Sequence, residues 1–240
     1  VAASIGQASL FADENGEDER IVNWKKAERW DDRTLYTLER DAFGFCLTGD
    51  MFDSYRVEAR NFSIPFKDVR DSREQQTIAG IVQSVRTIAG KRGTFAVVAL
   101  SDGQTTMDVL VFAKAYENYK NMLKPDEMLI FTGKGRKDER SGGMSFVCDK
   151  AITIEEMRVS RGATLLIEVS DGVALESLSQ VLRKAQSSDI GTVSCEVSLL
   201  SQSKRAELTL NHRYVPSDDL INQMRGVEGV VSVKYSYEGM

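Results

Sequence analysis

The sequence predicts a mixed chain in which a small five-stranded barrel lies between a helical segment and a C-terminal α+β domain. Five short apolar runs follow one another in the middle of the chain, and after Met157 the pattern changes to strands that alternate with helices. A length of 240 residues is also more than most single domains use. The predicted segments are 1–20, 21–70, 71–156 and 157–240.

The predicted barrel consists of runs rich in β-branched and apolar residues. A segment between the third and fourth runs, 113–123, favours a helix because it holds good helix formers with Ala115, Tyr119 and Met122 at helical spacing. Three strands, a helix and two strands are the order of an OB-fold, a small barrel that often binds oligonucleotides. The five runs are 77–88, 94–100, 105–112, 128–133 and 144–149.

Basic residues gather at two predicted loops of this barrel, between strands one and two and between strands four and five. In an OB-fold these two loops flank the binding cleft. The region 77–150 has eleven basic and eight acidic residues, although the whole chain has a net charge of −5. We expect the basic residues to neutralise the phosphates of a nucleic acid. The predicted contacts are Arg86, Lys91, Arg92, Lys134, Arg136 and Lys137.

Two aromatic residues of the barrel, Phe95 and Phe146, could either stack on bases or fill the interior. Phe95 shares its alternation with Val97 and Ala99, so the pattern favours the interior, and Phe146 is assigned there in the same way.

The flanking segments have patterns of their own. Residues 21–60 are predicted to be helical, with Asp32 as a cap and a buried face. Residues 164–237 predict a strand, a helix, two strands, a helix and a strand, which is the split βαβ order of a ferredoxin-like domain. The expected buried face of the first helix consists of Leu35, Leu38, Ala42 and Phe45.

Composition argues against several classes of function. A single histidine, His212, cannot support a catalytic scheme or metal site that needs two imidazoles. Three distant cysteines indicate neither a disulfide framework nor a zinc site, so we expect reduced thiols in a cytoplasmic protein. No apolar run is long enough to span a membrane. We therefore expect no metal, no cofactor and no catalytic residue in this chain.

A pentapeptide near the start of the chain, Gln7-Ala8-Ser9-Leu10-Phe11, precedes an acidic stretch at 12–20. The composition of that stretch predicts a flexible linker, because it offers almost nothing to bury. Beside such a linker, Gln7, Leu10 and Phe11 suit a short binding motif in which the apolar side chains fill a pocket. The alternative is that Leu10 and Phe11 close a small local core.

Three stretches together resemble the C-terminal region of the bacterial DNA polymerase III alpha subunit. The pentapeptide is similar to the internal clamp-binding motif of that family. Phe43-Gly44-Phe45-Cys46-Leu47-Thr48-Gly49-Asp50-Met51 resembles the family stretch Leu-Gly-Phe-Tyr-Leu-Thr-Gly-His-Pro, with Asp50 and Met51 in place of the usual His and Pro. Residues 77–154 resemble the OB domain of the family.

The resemblance implies that Gln7, Leu10 and Phe11 bind the sliding clamp, that the barrel handles single-stranded template, and that the C-terminal domain binds the tau subunit of the clamp loader. It also implies that the parent protein is a DNA-directed DNA polymerase whose catalytic domains precede Val1. Three alternatives stay open: a module for structured RNA, a structural linker with protein partners only, and a C-terminal small-molecule domain.

Overall fold

The computed structural model describes residues 30, 32–44, 46–90, 93–137, 142–170, 172, 174–186, 192–201 and 204–237. The fold belongs to the compact unit that runs from Asp31 to Met240. The pentapeptide with Gln7, Leu10 and Phe11 lies outside the described residues, as do Lys91 and Arg92 of the first basic loop.

The middle of the chain forms a closed barrel with the strand order β1-β2-β3-β5-β4. Neighbouring strands are antiparallel except for β3 and β5, whose parallel pairing closes the barrel. A helix lies between the third and fourth strands, so the predicted OB-fold is confirmed. Its elements are β1 (Gln76–Gly90), β2 (Gly93–Ser101), β3 (Thr106–Val111), a helix at Ala113–Tyr119, β4 (Met128–Lys137) and β5 (Met144–Thr153).

Alternation along the strands decides which side chains fill the barrel. On β2 the even-numbered residues Ala96, Val98 and Leu100 are completely buried. Phe95 therefore lies on the outer side of the strand, and its predicted interior position is wrong. Phe146 is completely buried, as predicted. The pattern failed for Phe95 because both alternating sets of β2 are apolar, so alternation could not identify the inner one.

The segment before the barrel contains helix α1 (Asp32–Phe43), helix α2 (Asp53–Ala59) and a 3-10 turn at Phe66–Asp68. The buried side chains of α1 are Tyr36 and Glu39, while Leu38 and Phe43 are exposed. The predicted apolar face is therefore wrong for Leu38, and Ala42 is exposed as well. Phe45 lies outside the described residues. We number the helix at Ala113–Tyr119 as α3.

Glu39 is buried because its carboxylate organises the following loop. It accepts hydrogen bonds from the backbone N–H groups of Leu47 and Thr48 and from the Thr48 hydroxyl, at 2.7 to 3.0 Å. Burial alone would raise the pKa of Glu39, but these hydrogen bonds outweigh it and lower the pKa below its ordinary value. The spacing of apolar residues in the sequence does not show that a carboxylate is buried in order to accept these hydrogen bonds.

Asp50 prepares the start of α2. Its Oδ1 accepts a hydrogen bond from the Phe52 N–H at 2.8 Å, and the Asp53 carboxylate accepts one from the Asp50 N–H at 3.0 Å. The exchange resembles a capping box and satisfies backbone donors at the helix start. This chain thus uses an aspartate at position 50 to begin a helix.

The C-terminal domain has the predicted order of elements but a different sheet. The sheet order is β8-β7-β6-β9, with β6 and β7 adjacent and parallel. A split βαβ unit would place another strand between them, so the ferredoxin-like assignment is corrected to an adjacent βαβ unit. The elements are β6 (Thr164–Val169), α5 (Ala174–Ala185), β7 (Val193–Ser201), β8 (Lys204–Tyr214), α6 (Asp218–Arg225) and β9 (Val230–Ser236), and α4 (Ile154–Ser160) precedes them.

The composition of β8 explains why it lies at the edge. Leu208 is half-exposed, and Asn211, His212 and Arg213 are exposed polar residues. A central strand would bury polar side chains of this kind and all of its backbone groups. An edge strand leaves these side chains and its outer backbone groups in water. The order of elements along the chain is the same in both arrangements, so the sequence pattern did not separate them.

Helix α4 connects the barrel to the C-terminal domain through one buried arginine. Thr153 caps this helix in a capping box with Glu156. Arg158 is only 1% exposed and binds the Glu58 carboxylate through two hydrogen bonds of 2.8 Å. It also donates to Asp218 at 2.8 Å and to the Pro216 carbonyl at 2.9 Å. Arg158 therefore ties together α2, α4 and the start of α6.

Two tyrosines complete this cluster around Arg158. The Tyr237 hydroxyl donates to Glu58 at 2.5 Å, and the Arg158 guanidinium lies 4.3 Å from the centre of the Tyr235 ring. Burial disfavours charge on Arg158, but the hydrogen bonds and charges of Glu58 and Asp218 raise its pKa, so it remains ionised. Burial raises the pKa of Tyr237, which keeps its hydroxyl protonated and able to donate.

Candidate nucleic-acid interface

The outer face of the barrel brings basic and apolar side chains into rows that cross the strands. In one row, Arg86 pairs with Val97, Val97 with Leu110, Leu110 with Val147, and Val147 with Lys134. Directly paired residues project from the same side of a sheet. The row therefore has a cation at each end and three aliphatic residues between them. Four strand spacings of about 4.8 Å make the row roughly 19 Å long, measured along the curved surface of the barrel.

A second row runs beside the first and is more polar. It consists of Ser84, Ala99, Asp108, Ser145 and Arg136, again in direct register. Lys134 and Arg136 thus project from the same side of β4, and both are exposed. Lys137 is also exposed but takes the alternate side of that strand.

Asp108 is an acidic residue in the middle of this basic face. Its carboxylate lies 3.9 Å from the Arg86 guanidinium, and the two side chains are 51% and 70% exposed. A surface pair of this length contributes little to stability. It leaves Arg86 free to turn toward a stronger anion such as a phosphate.

Two exposed apolar side chains, Ile88 and Phe112, and the half-buried Phe95 form a third row at one end of the face. Ile88 pairs directly with Phe95, and the Phe95 ring lies 5.9 Å from the ring of Phe112 with a tilt of 41°. Ile88 and Phe112 are 44% and 46% exposed. Neither had been predicted as a site residue. The available signal was the position of Phe112, which directly follows β3.

This row lies where the hairpin of β1 and β2 closes. From Arg86 to Gly90, β1 is exposed or half-exposed on both sides, so this part of the hairpin projects from the barrel. Gly90 pairs with Gly93, and the chain between them consists of Lys91 and Arg92. Gly93 has a φ of 108°, and a Cβ there would lie 3.0 Å from the Ala113 Cβ. Lys91 and Arg92 therefore connect two strands, β1 and β2, that end close to Phe112.

Two glycines set the position of the basic strand β4. A Cβ at Gly133 would lie 2.0 Å from the Val147 carbonyl oxygen, and one at Gly135 would lie 2.3 Å from the Arg70 carbonyl oxygen. The register of β4 against β5 also shifts between Thr132 and Gly133. This bulge and the two close contacts turn Lys134 and Arg136 outward, since bulges change the direction of side chains.

Other parts of the described structure offer less chemistry. Among residues with assigned positions, no group of three or more His, Cys, Asp or Glu side chains could hold a metal ion. The thiols of Cys148 and Cys195 are buried, and burial raises the pKa of each to about 12, which makes them poor nucleophiles. No helix of the described residues is long and apolar enough to cross a membrane.

Comparison with known proteins defines the class of this barrel. Residues 76–159 match the family model of the OB-fold nucleic acid binding domain of the tRNA anti-codon type. This match agrees with the closed barrel and its strand order, so the barrel is an OB-fold.

Over nearly its whole length the chain is similar to the DNA polymerase III alpha subunit. It is 27% identical to subunit alpha of Escherichia coli strain K12 over 246 aligned residues, which cover 99% of this chain and 21% of that protein. The corresponding subunit of Vibrio cholerae is 27% identical over 98% of this chain and 21% of its own length. The predicted resemblance is confirmed, and the chain spans about a fifth of the length of these relatives.

Proposed function

We propose that this chain is the C-terminal part of a bacterial replicative DNA polymerase III alpha subunit and that its barrel binds single-stranded template DNA. The observation that supports this proposal most directly is the row from Arg86 to Lys134, in which cations flank an apolar centre. A single strand presents phosphates on one side and unpaired bases on the other, and such a row offers partners for both.

The charge distribution fits a local interface on an acidic protein. The chain has a net charge of −5, so its surface as a whole does not attract a polyanion. Lys134 and Arg136 are exposed on one strand at one rim, and Arg86 is exposed at the other rim. Lys137 continues the basic strand, while Lys91 and Arg92 extend the hairpin in the sequence. Together they define where phosphates would be neutralised.

Reversing two charges on β4 should weaken DNA binding and reduce its salt dependence. Each phosphate contact to a single strand contributes about 0.7 to the slope of log affinity against log salt. Lys134→Glu with Arg136→Glu should therefore make the slope shallower by about 1.4, and Lys91→Glu with Arg92→Glu should have a similar effect. Fluorescence anisotropy with labelled oligo(dT) at several salt concentrations measures both quantities.

The matched control is Arg183→Glu with Lys184→Glu, which makes the same charge change on α5 of the C-terminal domain. It should leave the slope unchanged. If the β4 variant kept both the affinity and the slope of the parent chain, the barrel face would not be the binding site. Competition with a folded RNA in the same assay tests the RNA alternative.

We propose two protein partners from the resemblance to the polymerase family. Gln7, Leu10 and Phe11 bind the ring-shaped sliding clamp (beta), and the C-terminal α+β domain binds the tau subunit of the clamp loader. The longer protein would be a DNA-directed DNA polymerase of the bacterial cytoplasm, and this chain would contribute processivity and template handling. We expect it to need no metal or cofactor of its own for these roles.

Deleting Leu10 and Phe11 should abolish retention of the chain by immobilised clamp, because these side chains would fill the apolar pocket of the partner. Retention by immobilised tau and by single-stranded DNA should not change. Pull-downs with clamp, tau and DNA on separate beads measure the three interactions independently. Undiminished clamp binding by the deletion variant would refute the motif, and failure of the intact chain to bind tau would refute the second assignment.

A further inference from the structure

We propose that Phe95, Phe112 and Ile88 form a stacking platform for unpaired bases and that this platform selects single-stranded over duplex DNA. The inference rests on the proposed binding of DNA by the barrel face. It concerns the bases of the strand, which the basic residues cannot recognise. The three residues are called the platform below.

The platform is held by rigid elements rather than by a loose loop. Ile88 and Phe95 are directly paired residues of β1 and β2, and Phe112 occupies the cap position of α3. A Cβ at Gly90 would lie 3.5 Å from two atoms of the Phe95 ring, so the hairpin backbone supports that ring from one side. Phe112 supports it from another at a ring distance of 5.9 Å. The rings are thus oriented before any ligand arrives.

The exposure of the platform is costly unless something covers it. Phe112 keeps 46% of its surface in contact with water, and Ile88 keeps 44%. The nearby interior positions Ala96, Val98 and Val111 are completely buried, so the barrel core is already filled without these side chains. Adjacent exposed apolar residues of this kind mark binding surfaces. A planar apolar ligand would cover these side chains and remove their apolar surface from water.

The surrounding charges indicate which planar ligand this is. Arg86 is two residues before Ile88 on β1 and projects from the same side, next to the platform. Lys134 and Arg136 form the opposite rim of the same face. A ligand that has flat apolar groups joined by a chain of negative charges matches this arrangement. Unpaired nucleobases on a phosphate backbone have that chemistry, and stacking on aromatic rings tolerates every base.

The same geometry explains discrimination against duplex DNA. The bases of a duplex are stacked on one another and present only their edges in the grooves, so their flat surfaces cannot reach Phe95 or Phe112. A duplex could use only the basic rims. A single strand could use the rims and the platform together, which gives it the higher affinity.

The test replaces both rings and measures single-stranded and duplex binding across a series of salt concentrations. Phe95→Ala with Phe112→Ala should weaken oligo(dT) binding about tenfold or more, because each stacked base contributes substantially to affinity. The salt slope should stay unchanged, because no phosphate contact is removed. Duplex affinity should also stay unchanged. Phe95→Leu with Phe112→Leu keeps apolar volume without a π-face and should give an intermediate loss.

The matched control is Phe43→Ala, which removes an exposed phenylalanine from α1. It should bind oligo(dT) like the parent chain. Loss of binding by the β4 charge variant, together with full binding by both ring variants, would overturn the platform but not the barrel interface. If neither the charge nor the ring variants changed binding, the proposed function itself would fail.

A second measurement, made on the parent chain, tests the platform even if the ring variants do not fold. Ultraviolet crosslinking of the parent chain to oligo(dT), followed by peptide mapping, should place adducts on Phe95 or Phe112. Adducts confined to other parts of the chain would overturn the platform.

Discussion

Replacing Arg158 with methionine should lower the free energy of unfolding by about 3–5 kcal/mol, the usual cost of breaking a buried ion pair by removing one partner. The substitution leaves the carboxylates of Glu58 and Asp218 without their main hydrogen-bond donor in a largely buried cluster. It also removes the cation from the Tyr235 ring. Urea unfolding at neutral pH measures the loss.

A compensating variant distinguishes the ion cluster from simple packing. Arg158→Met combined with Glu58→Gln and Asp218→Asn removes the stranded charges, so it should recover much of the lost stability. Arg183→Met, on the surface of α5, should change stability by less than about 0.5 kcal/mol. A loss below about 1 kcal/mol for Arg158→Met, or no recovery in the combined variant, would show that the cluster contributes little.

The position of this cluster gives it a consequence for function. Glu58 lies on α2, Arg158 on α4 directly after the barrel, and Asp218 at the start of α6. One side chain therefore joins the helical segment, the barrel exit and the C-terminal domain. If the C-terminal domain binds a partner while the barrel binds DNA, the Arg158 cluster sets the geometry between the two.

Replacing Gly133 with alanine should destabilise the barrel by at least about 1–3 kcal/mol, as overpacking does. The new Cβ would lie 2.0 Å from the Val147 carbonyl oxygen and 3.0 Å from the Phe146 ring, and neither the backbone nor this buried ring can move away freely. The β4–β5 pairing would have to open at the position before Lys134. We therefore expect weaker oligo(dT) binding together with a lower melting temperature.

Gly172→Ala is the control for this substitution, because a Cβ at Gly172 meets no atom of the described residues within 4 Å. It should leave both stability and DNA binding unchanged. A Gly133→Ala variant with the stability and affinity of the parent chain would contradict the close packing of β4 against β5.

The sequence predicted the barrel well because its strands are runs rich in β-branched and apolar residues and its turns are rich in glycine and charge. Five strands and the helix at Ala113–Tyr119 occur where the pattern indicated them, with β1, β2, β4 and β5 longer than predicted and β3 shorter. The strand ends were harder to predict, since the second half of β1 is exposed on both sides and has no buried periodicity.

The features that the sequence did not reveal depend on contacts between distant residues. Arg158 binds Glu58, which lies one hundred residues earlier in the chain. No local sequence pattern therefore indicates that Arg158 is buried. Phe95 alternates with the apolar residues Val97 and Ala99, which predicts the interior, but both faces of β2 are apolar and only pairing with β1 and β3 identifies its outer position. The adjacent positions of β6 and β7 in the sheet are also known only from strand pairing, because the order of elements along the chain does not determine them.

Hydrogen exchange of the intact chain, with and without oligo(dT), tests the barrel interface most directly. We predict slower exchange in the β1–β2 hairpin and in the strands that present Leu110 and Lys134, because these backbone segments would be covered or stiffened by bound DNA. The sheet of β6, β7, β8 and β9 should exchange at the same rate in both states. Protection confined to that sheet, or no protection in the barrel under saturating oligo(dT), would contradict binding by the barrel face.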